Sequence, residues 1–273
     1  MPWHGADYIL PVRHPFFSSS RPRVFAHRGG SALAPENTIA AFEAGIAAGA
    51  DGIELDVHLS RDGIVVVHHD RLLDRTTNAN GPIASLTAGE LARVDAGYRF
   101  ATNGSFPFRG LGIGVSTLGE VLARFPAVQV IIELKVNARE MARAVIDTVR
   151  AHGAVDRVCI GSYGLGVLRE VRKLEPAVAT SAAREEVRLA LYRSWCRWPV
   201  TRPSYDGYQV PENAGSTRVV SPRFVKDAHR AGLGVQVWTV DSVEDARRLL
   251  EWGVDALITD NPHVVVPVCK SLR

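Results

Sequence analysis

The chain has 273 residues, 46% hydrophobic and 22% charged, with a net charge of +3 and a pI near 8.9. This is ordinary globular composition, and so small a basic surplus argues against nucleic acid, which calls for a concentrated basic face. Cys159, Cys196 and Cys269 are odd in number, far apart and without a CxxC pair, which argues against both a disulfide framework and a thiolate metal site.

Residues 1–22, rich in proline, serine and aromatics, read as an N-terminal arm packing on a domain. They lack the basic head and long apolar run of a secretory signal, and no stretch reaches the ~20 apolar residues of a membrane span, so the expected compartment is the cytoplasm. From residue 23 to 273 the pattern is that of one domain in which β-like runs alternate with helical ones. Val24–His27 reads as a strand; Pro35 and Asn37 then open a helix whose Ile39, Phe42 and Ile46 share a face, with Asn37 or Thr38 as its cap. Gly52–His58 and Ile64–His69 are the next two strands, followed by a Thr117–Arg124 helix and a Val128–Lys135 strand. Helices at Ala138–His152, Leu165–Lys173 and Arg184–Tyr192 alternate with strands at Arg157–Ile160, Ala177–Thr180 and Gly207–Val210. Pro222–Ala231, Val235–Val240, Val243–Glu251 and Ala256–Thr259 close the series. Strands alternating with helices imply a mostly parallel sheet, and this many strands in ~250 residues fit a closed TIM (β/α)8 barrel. Irregularity is expected around the second and third strands. Leu59–Gly63 is too short for a crossover, and Arg61-Asp62-Gly63 reads as a hairpin turn.

Chemistry-bearing residues concentrate at predicted strand ends. In IELDVH, Glu54 and Asp56 lie two apart and therefore on one face, about 7 Å apart along the backbone. Inside a barrel, two unpaired carboxylates carry a large desolvation cost. Either a hard divalent cation or a pair of buried salt bridges would relieve it. VIIELK repeats the pattern with Glu133, a further carboxylate, and Lys135, a point charge suited to a phosphate oxygen. His27-Arg28 and His68-His69-Asp70 each follow an apolar strand, at the end where barrel enzymes carry their chemistry. Alternation turns His68 and His69 to opposite faces without saying which is inward. Gly29-Gly30 lets the backbone turn sharply beside a ligand, although the GxGxxG spacing of a dinucleotide site is absent. Trp238 is either core packing or a wall of the cleft. In RSWCRWPVTRPSY, Trp195 and Trp198 lie among arginines in a loop-like region, suited to a flap over the barrel or to peripheral contact with a lipid surface.

Taken together, AHRGGSALAPENT, GADGIELDVHLSRDG, VVVHHDRLLDRTT, STLGEVL, IIELK, VWTVD and GVDALITDNP resemble the glycerophosphodiester phosphodiesterases, in order, over residues 24–262. The resemblance implies a TIM barrel, one divalent cation (Mg2+ or Ca2+), and hydrolysis of a small-molecule glycerophosphodiester to an alcohol and sn-glycerol 3-phosphate. By position, His27 and His69 resemble the acid–base histidines and Glu54, Asp56 and Glu133 the metal ligands. Arg28 and Lys135 resemble the phosphate-contacting cations, and Trp238 a cleft-lining aromatic. Ser116, Asn261 and His68 depart from the family pattern, which bears on substrate fit. Two other readings stand beside this one: a phospholipase acting on lysophospholipids, and a catalytically idle phosphodiester-binding protein. An aldolase is disfavoured because the acidic neighbours of Lys135 hold it protonated.

Overall fold

In a computed structural model, residues 13–198 and 203–271 are described. Eight parallel strands form the barrel wall: β1 (Arg23–Ala26), β2 (Gly52–Leu59), β4 (Gln129–Leu134), β5 (Val158–Gly161), β6 (Ala179–Thr180), β7 (Gly207–Pro211), β10 (Gly234–Trp238) and β11 (Ala256–Thr259). Their order around the wall is β6-β5-β4-β2-β1-β11-β10-β7, and a parallel bridge between Ser181 and Gly207 joins its two ends. The expected TIM barrel is therefore present, and the expected irregularity falls at Leu59–Gly63. There β3 (Val65–Val67) folds back antiparallel on β2, with Val57 opposite Val67 and Leu59 opposite Val65. It stands outside the wall and is covered by the loop before α3 (Leu118–Arg124), where Ser116 accepts a 2.8 Å bond from the Val67 N–H.

Alternation along β2 sets the two sides of the wall. Ile53, Leu55 and Val57 are fully buried against the outer helices, in one cluster with Met141, Val145 and Val149 of α4 (Arg139–Ala151). Their neighbours Glu54 and Asp56 are left to face the interior. The lower interior is apolar, filled by Phe25, Ile131, Cys159, Ala179, Ala256 and Ile258. Phe16 and Phe17, from the chain before β1, complete this layer at 0% and 1% exposure. A side chain at Gly234 would meet the Phe17 ring at 2.5 Å, so the strand needs glycine where the ring enters. Arg13 ties the same segment down by a 2.6 Å ion pair with Asp255. Residues 1–12 of the expected arm lie outside the described residues.

Three differences from the expected elements matter below. The helix expected at Arg184–Tyr192 is α6 (Arg184–Trp195), so Trp195 ends a helix rather than lying in a loop. A small antiparallel hairpin, β8 (Asn213–Ala214) with β9 (Thr217–Arg218), follows β7. A last helix, α9 (Pro262–Ser271), closes over β1. No helix among the described residues is long and apolar enough to cross a membrane.

Candidate active site

The turn after β1 is held in an uncommon conformation. Arg28 has φ 51° and ψ 28°, the left-handed region that costs a non-glycine residue about 1–2 kcal/mol. Two hydrogen bonds hold it there: the Arg28 N–H donates to Glu54 Oε2 at 2.9 Å, and the Arg28 carbonyl accepts from the Asn37 N–H at 2.8 Å. Gly29 is required next, since a Cβ there would lie 2.7 Å from Ala41 of helix α1 (Ile39–Ala47). Thr38, not Asn37, caps α1, accepting from the Ala41 N–H. Asn37 is turned instead toward the interior. Its amide donates to Asp56 Oδ2 at 2.9 Å and accepts from the Asp56 N–H at 3.1 Å.

The strand ends thereby bring His27, Arg28, Glu54, Asp56, His69, Glu133, Lys135 and Trp238 around one cavity of about 380 Å3 at the mouth of the barrel. Register accounts for much of this, because Asp56 on β2 lies beside Glu133 on β4. His69 lines the cavity. His68 is turned away and buried, bonded to the Asp70 carbonyl at 2.9 Å and to the Thr76 hydroxyl at 3.0 Å. Trp238 is half-buried, packed on the apolar interior and open to the cavity, so both expected readings of it hold.

Each cavity histidine is oriented by a carboxylate. His27 Nδ1 donates to Asp260 Oδ1 at 2.7 Å, and His69 Nδ1 to Asp70 Oδ1 at 2.6 Å, so both rings aim Nε2 away from these partners. The two imidazoles are nevertheless tuned apart. Burial lowers the proton affinity of His27, but Glu54 and Asp260 overcome it and hold the ring above the ordinary histidine value. For His69 burial prevails over Asp56 and Asp70, and the ring is held below it.

A chain of ion pairs links the two sides of the site. Arg28 pairs with Glu36 at 3.1 Å; Arg75 grips Glu36 with two bonds of 2.7 and 2.8 Å and also binds Asp70. Lys135 reaches Asp56 Oδ1 at 2.8 Å; burial would lower its pKa, but Asp56 and Glu133 overcome this and keep it charged. Arg28 Nε makes no satisfied hydrogen bond and lies 3.5 Å from Asp56 Oδ2, in a looser ion pair than the one to Glu36.

The acidic floor bears on the expected cation. Among the described residues no three His, Cys, Asp or Glu side chains stand in ready ligand geometry. The oxygens of Asp56 are engaged by Lys135 and Asn37. The donor chemistry nonetheless fits a hard divalent ion. Burial, reinforced by the charge of Asp56, pushes both Glu54 and Glu133 up to about 7, the behaviour of carboxylates short of positive charge.

Several partners went unread in the sequence. His58 extends the inward series Glu54, Asp56 along β2 and donates from Nε2 to the His69 carbonyl at 3.0 Å; alternation could have found it. Asp260 and Asp241 carried no local signal. Asp241 accepts from the Asp260 N–H at 2.8 Å and so fixes the carboxylate that orients His27. Gln209 on β7 donates to Gln236 at 2.9 Å, while its buried Oε1 has no partner.

A second and larger cavity, about 600 Å3, opens beside the first, between α6 and the β8–β9 hairpin. Glu133, Tyr163, Gln209 and Trp238 line both. It holds neither histidine, so this larger hollow is a neighbour of the polar site rather than the site itself. Trp195 forms part of its rim, and Trp198 is 70% exposed; residues 199–202 of the expected flap lie outside the described residues.

Comparison with known proteins agrees with this geometry. The profile of the glycerophosphoryl diester phosphodiesterase family matches residues 27–264. The chain is 32% identical to a glycerophosphodiester phosphodiesterase of Caldanaerobacter subterraneus subsp. tengcongensis over 253 residues, 91% of this chain and 98% of the relative. A putative glycerophosphoryl diester phosphodiesterase from Silicibacter pomeroyi superposes with a TM-score of 0.76 at 28% identity, covering 93% of this chain and 95% of that one. An Oleispira antarctica phosphodiesterase, solved in complex with the product sn-glycerol-3-phosphate, superposes at 0.74 with 26% identity, over 92% of this chain and 97% of its own. With its barrel and a family match over residues 27–264, the chain belongs to the glycerophosphoryl diester phosphodiesterase family.

Proposed function

We propose that the protein hydrolyses glycerophosphodiesters to an alcohol and sn-glycerol 3-phosphate, with His69 as general base and His27 as general acid. The observation that carries this reading is the pair of imidazoles, each oriented by a carboxylate, that share one cavity with Arg28 and Lys135. Two titratable groups pushed apart by their surroundings are what acid–base catalysis near neutral pH needs. Arg28 and the charged Lys135, both lining the cavity, bind and orient the phosphoryl oxygens. His69, held neutral, takes the proton of the substrate's own glycerol hydroxyl as its oxygen attacks phosphorus. The bond from phosphorus to the alcohol oxygen breaks, and His27 gives that oxygen its proton. Water then opens the cyclic phosphate with the two histidines in reversed roles. Glu54, Asp56 and Glu133 would hold a divalent cation, Mg2+ or Ca2+, which when bound supplies positive charge against that developing on the phosphoryl oxygens. The intact set of histidines, cations and carboxylates disfavours a catalytically idle binding protein.

A coupled assay for glycerol 3-phosphate release from a panel of glycerophosphodiesters, with and without chelator, tests this reading. Chelator-sensitive release is expected. No release from any diester in the presence of Mg2+ or Ca2+ would refute it.

A further inference from the structure

We propose that Arg75 is a positioning residue for the catalytic base. Its guanidinium clasps the segment that carries His69 to the turn that carries Arg28, and so sets the base against the phosphoryl group. This inference rests on the diesterase reading above and adds a residue that does not itself line the catalytic cavity.

The need for a clasp follows from topology. His27 leaves β1, a strand of the barrel wall, and Asp260, which orients it, follows β11, the strand beside β1. Both members of that pair are set by the wall. His69 follows β3, which stands outside the wall and folds back on β2. The carboxylate that orients it, Asp70, is the next residue of the same segment, so ring and carboxylate could shift together. Backbone bonds hold the start of this segment: the His68 N–H donates to the Asp56 carbonyl at 2.9 Å, and the His69 carbonyl accepts from His58 at 3.0 Å. They fix the main chain and leave the His69 ring free to turn about its side-chain bonds.

Arg75 ties that ring to the wall, and all three of its nitrogens take part. Nε donates to Asp70 Oδ2, the oxygen that His69 leaves free, while Nη1 and Nη2 donate to the two oxygens of Glu36 at 2.8 and 2.7 Å. Apart from His69, no other side chain among the described residues hydrogen-bonds the Asp70 carboxylate. Glu36 is itself anchored. Its Oε1 also accepts from Arg28 at 3.1 Å, and the adjoining Asn37 bonds Asp56 on β2 and the Arg28 carbonyl. One guanidinium thus fixes the base relative to the cation that holds the phosphoryl oxygens. An isolated exposed ion pair contributes little stability, but a planar fork spanning two carboxylates sets geometry, and lysine, with one nitrogen, does not reproduce it.

The test compares Arg75→Ala, Arg75→Lys and, as a control, Arg124→Ala, which removes an exposed two-bond grip on Glu43. Each is measured by glycerol 3-phosphate release, by thermal midpoint and by nitrogen NMR of His69 at a pH where its ring is neutral. Misplacing a reacting group by about 1 Å costs on the order of 10^2-fold, so both Arg75 variants should lose about 10- to 100-fold in kcat with little change in midpoint. In both, the His69 ring should pass from the Nδ1–H form to a mixture of tautomers. Free guanidinium ion at a non-denaturing concentration should restore part of kcat to Arg75→Ala and none to Arg75→Lys, whose side chain fills the gap. Arg124→Ala should alter none of these readouts. Near-wild-type kcat, an unchanged His69 tautomer, or a loss of kcat accounted for by unfolding at the assay temperature would overturn the proposal. The NMR readout also separates the two readings. No release by the wild type would sink the diesterase reading, and the tautomer would still decide whether Arg75 positions His69.

Discussion

The two sides of the barrel mouth are built on opposite terms. On the side of β1, β2 and β4, polar groups hold one another at fixed distances: Asp56 by Lys135 and Asn37, His27 by Asp260, His69 by Asp70, and Arg28 by Glu36. On the side of α6 and the β8–β9 hairpin, Leu191, Val210 and Val219 are placed by packing, and the exposed Arg184 and Arg188 beside them have no ion-pair partner among the described residues. The helix itself is anchored at its edges, by a two-bond grip of Arg172 on Glu186 and a 2.9 Å bond from Ser194 to Asp227. Proton transfer tolerates misplacement of only a few tenths of an ångström, so its groups sit on strand ends and are braced by further partners.

That contrast can be broken experimentally, and the largest effect should come from the histidines. His27→Ala and His69→Ala should each lower kcat by about 10^2–10^4-fold on every diester, with the thermal midpoint unchanged. Near-wild-type turnover in either would show that the braced side is not the catalytic one. Chelation comes next. A chelator should abolish most turnover, and Mg2+ or Ca2+ should restore it and raise the thermal midpoint, since a ligand bound only by the folded state stabilises it. Indifference of both activity and midpoint would remove the cation from the acidic floor.

Asp70→Asn should cost about tenfold or more in kcat, less than loss of His69 itself. Its pH profile gives a sharper readout. The Asp70 carboxylate favours the protonated ring, so a neutral amide in its place lowers the pKa of His69 further. The base then stays deprotonated to lower pH, and the acid limb of kcat/KM should move down. A limb that stays put or moves up would contradict the assignment of His69 as base. The smallest effect on activity should come from below both sides. Phe17→Ala should lower stability by about 3–5 kcal/mol in denaturant titrations while the folded protein keeps its turnover. A fall in kcat with no loss of stability would mean that this ring shapes the mouth as well as the floor.

Much of the site was legible because strand periodicity and chemistry coincide. Glu54 with Asp56, and Glu133 with Lys135, announce an inward face two residues at a time, and the hairpin at Arg61-Asp62-Gly63 is a turn signal with too few residues for anything else. Helix ends were legible where a cap was present, as Thr117 before α3 shows with its reciprocal bonds to Glu120. Asn37 and Thr38 were both credible caps from the sequence; Thr38 took that role and left Asn37 to brace Asp56.

By itself, the sequence determined the alternation of strands and helices, the inward carboxylates, and the histidines at strand ends, because these depend on spacings of a few residues along one chain. Only the tertiary structure decided that His69 rather than His68 meets the cavity, and that Asp260, 233 positions from His27, would orient it. It alone placed a second hollow beside the one lined by His27 and His69. The physical reason is distance in the chain. Such contacts depend on how the barrel closes, and closure is settled by packing between elements whose local patterns do not refer to one another.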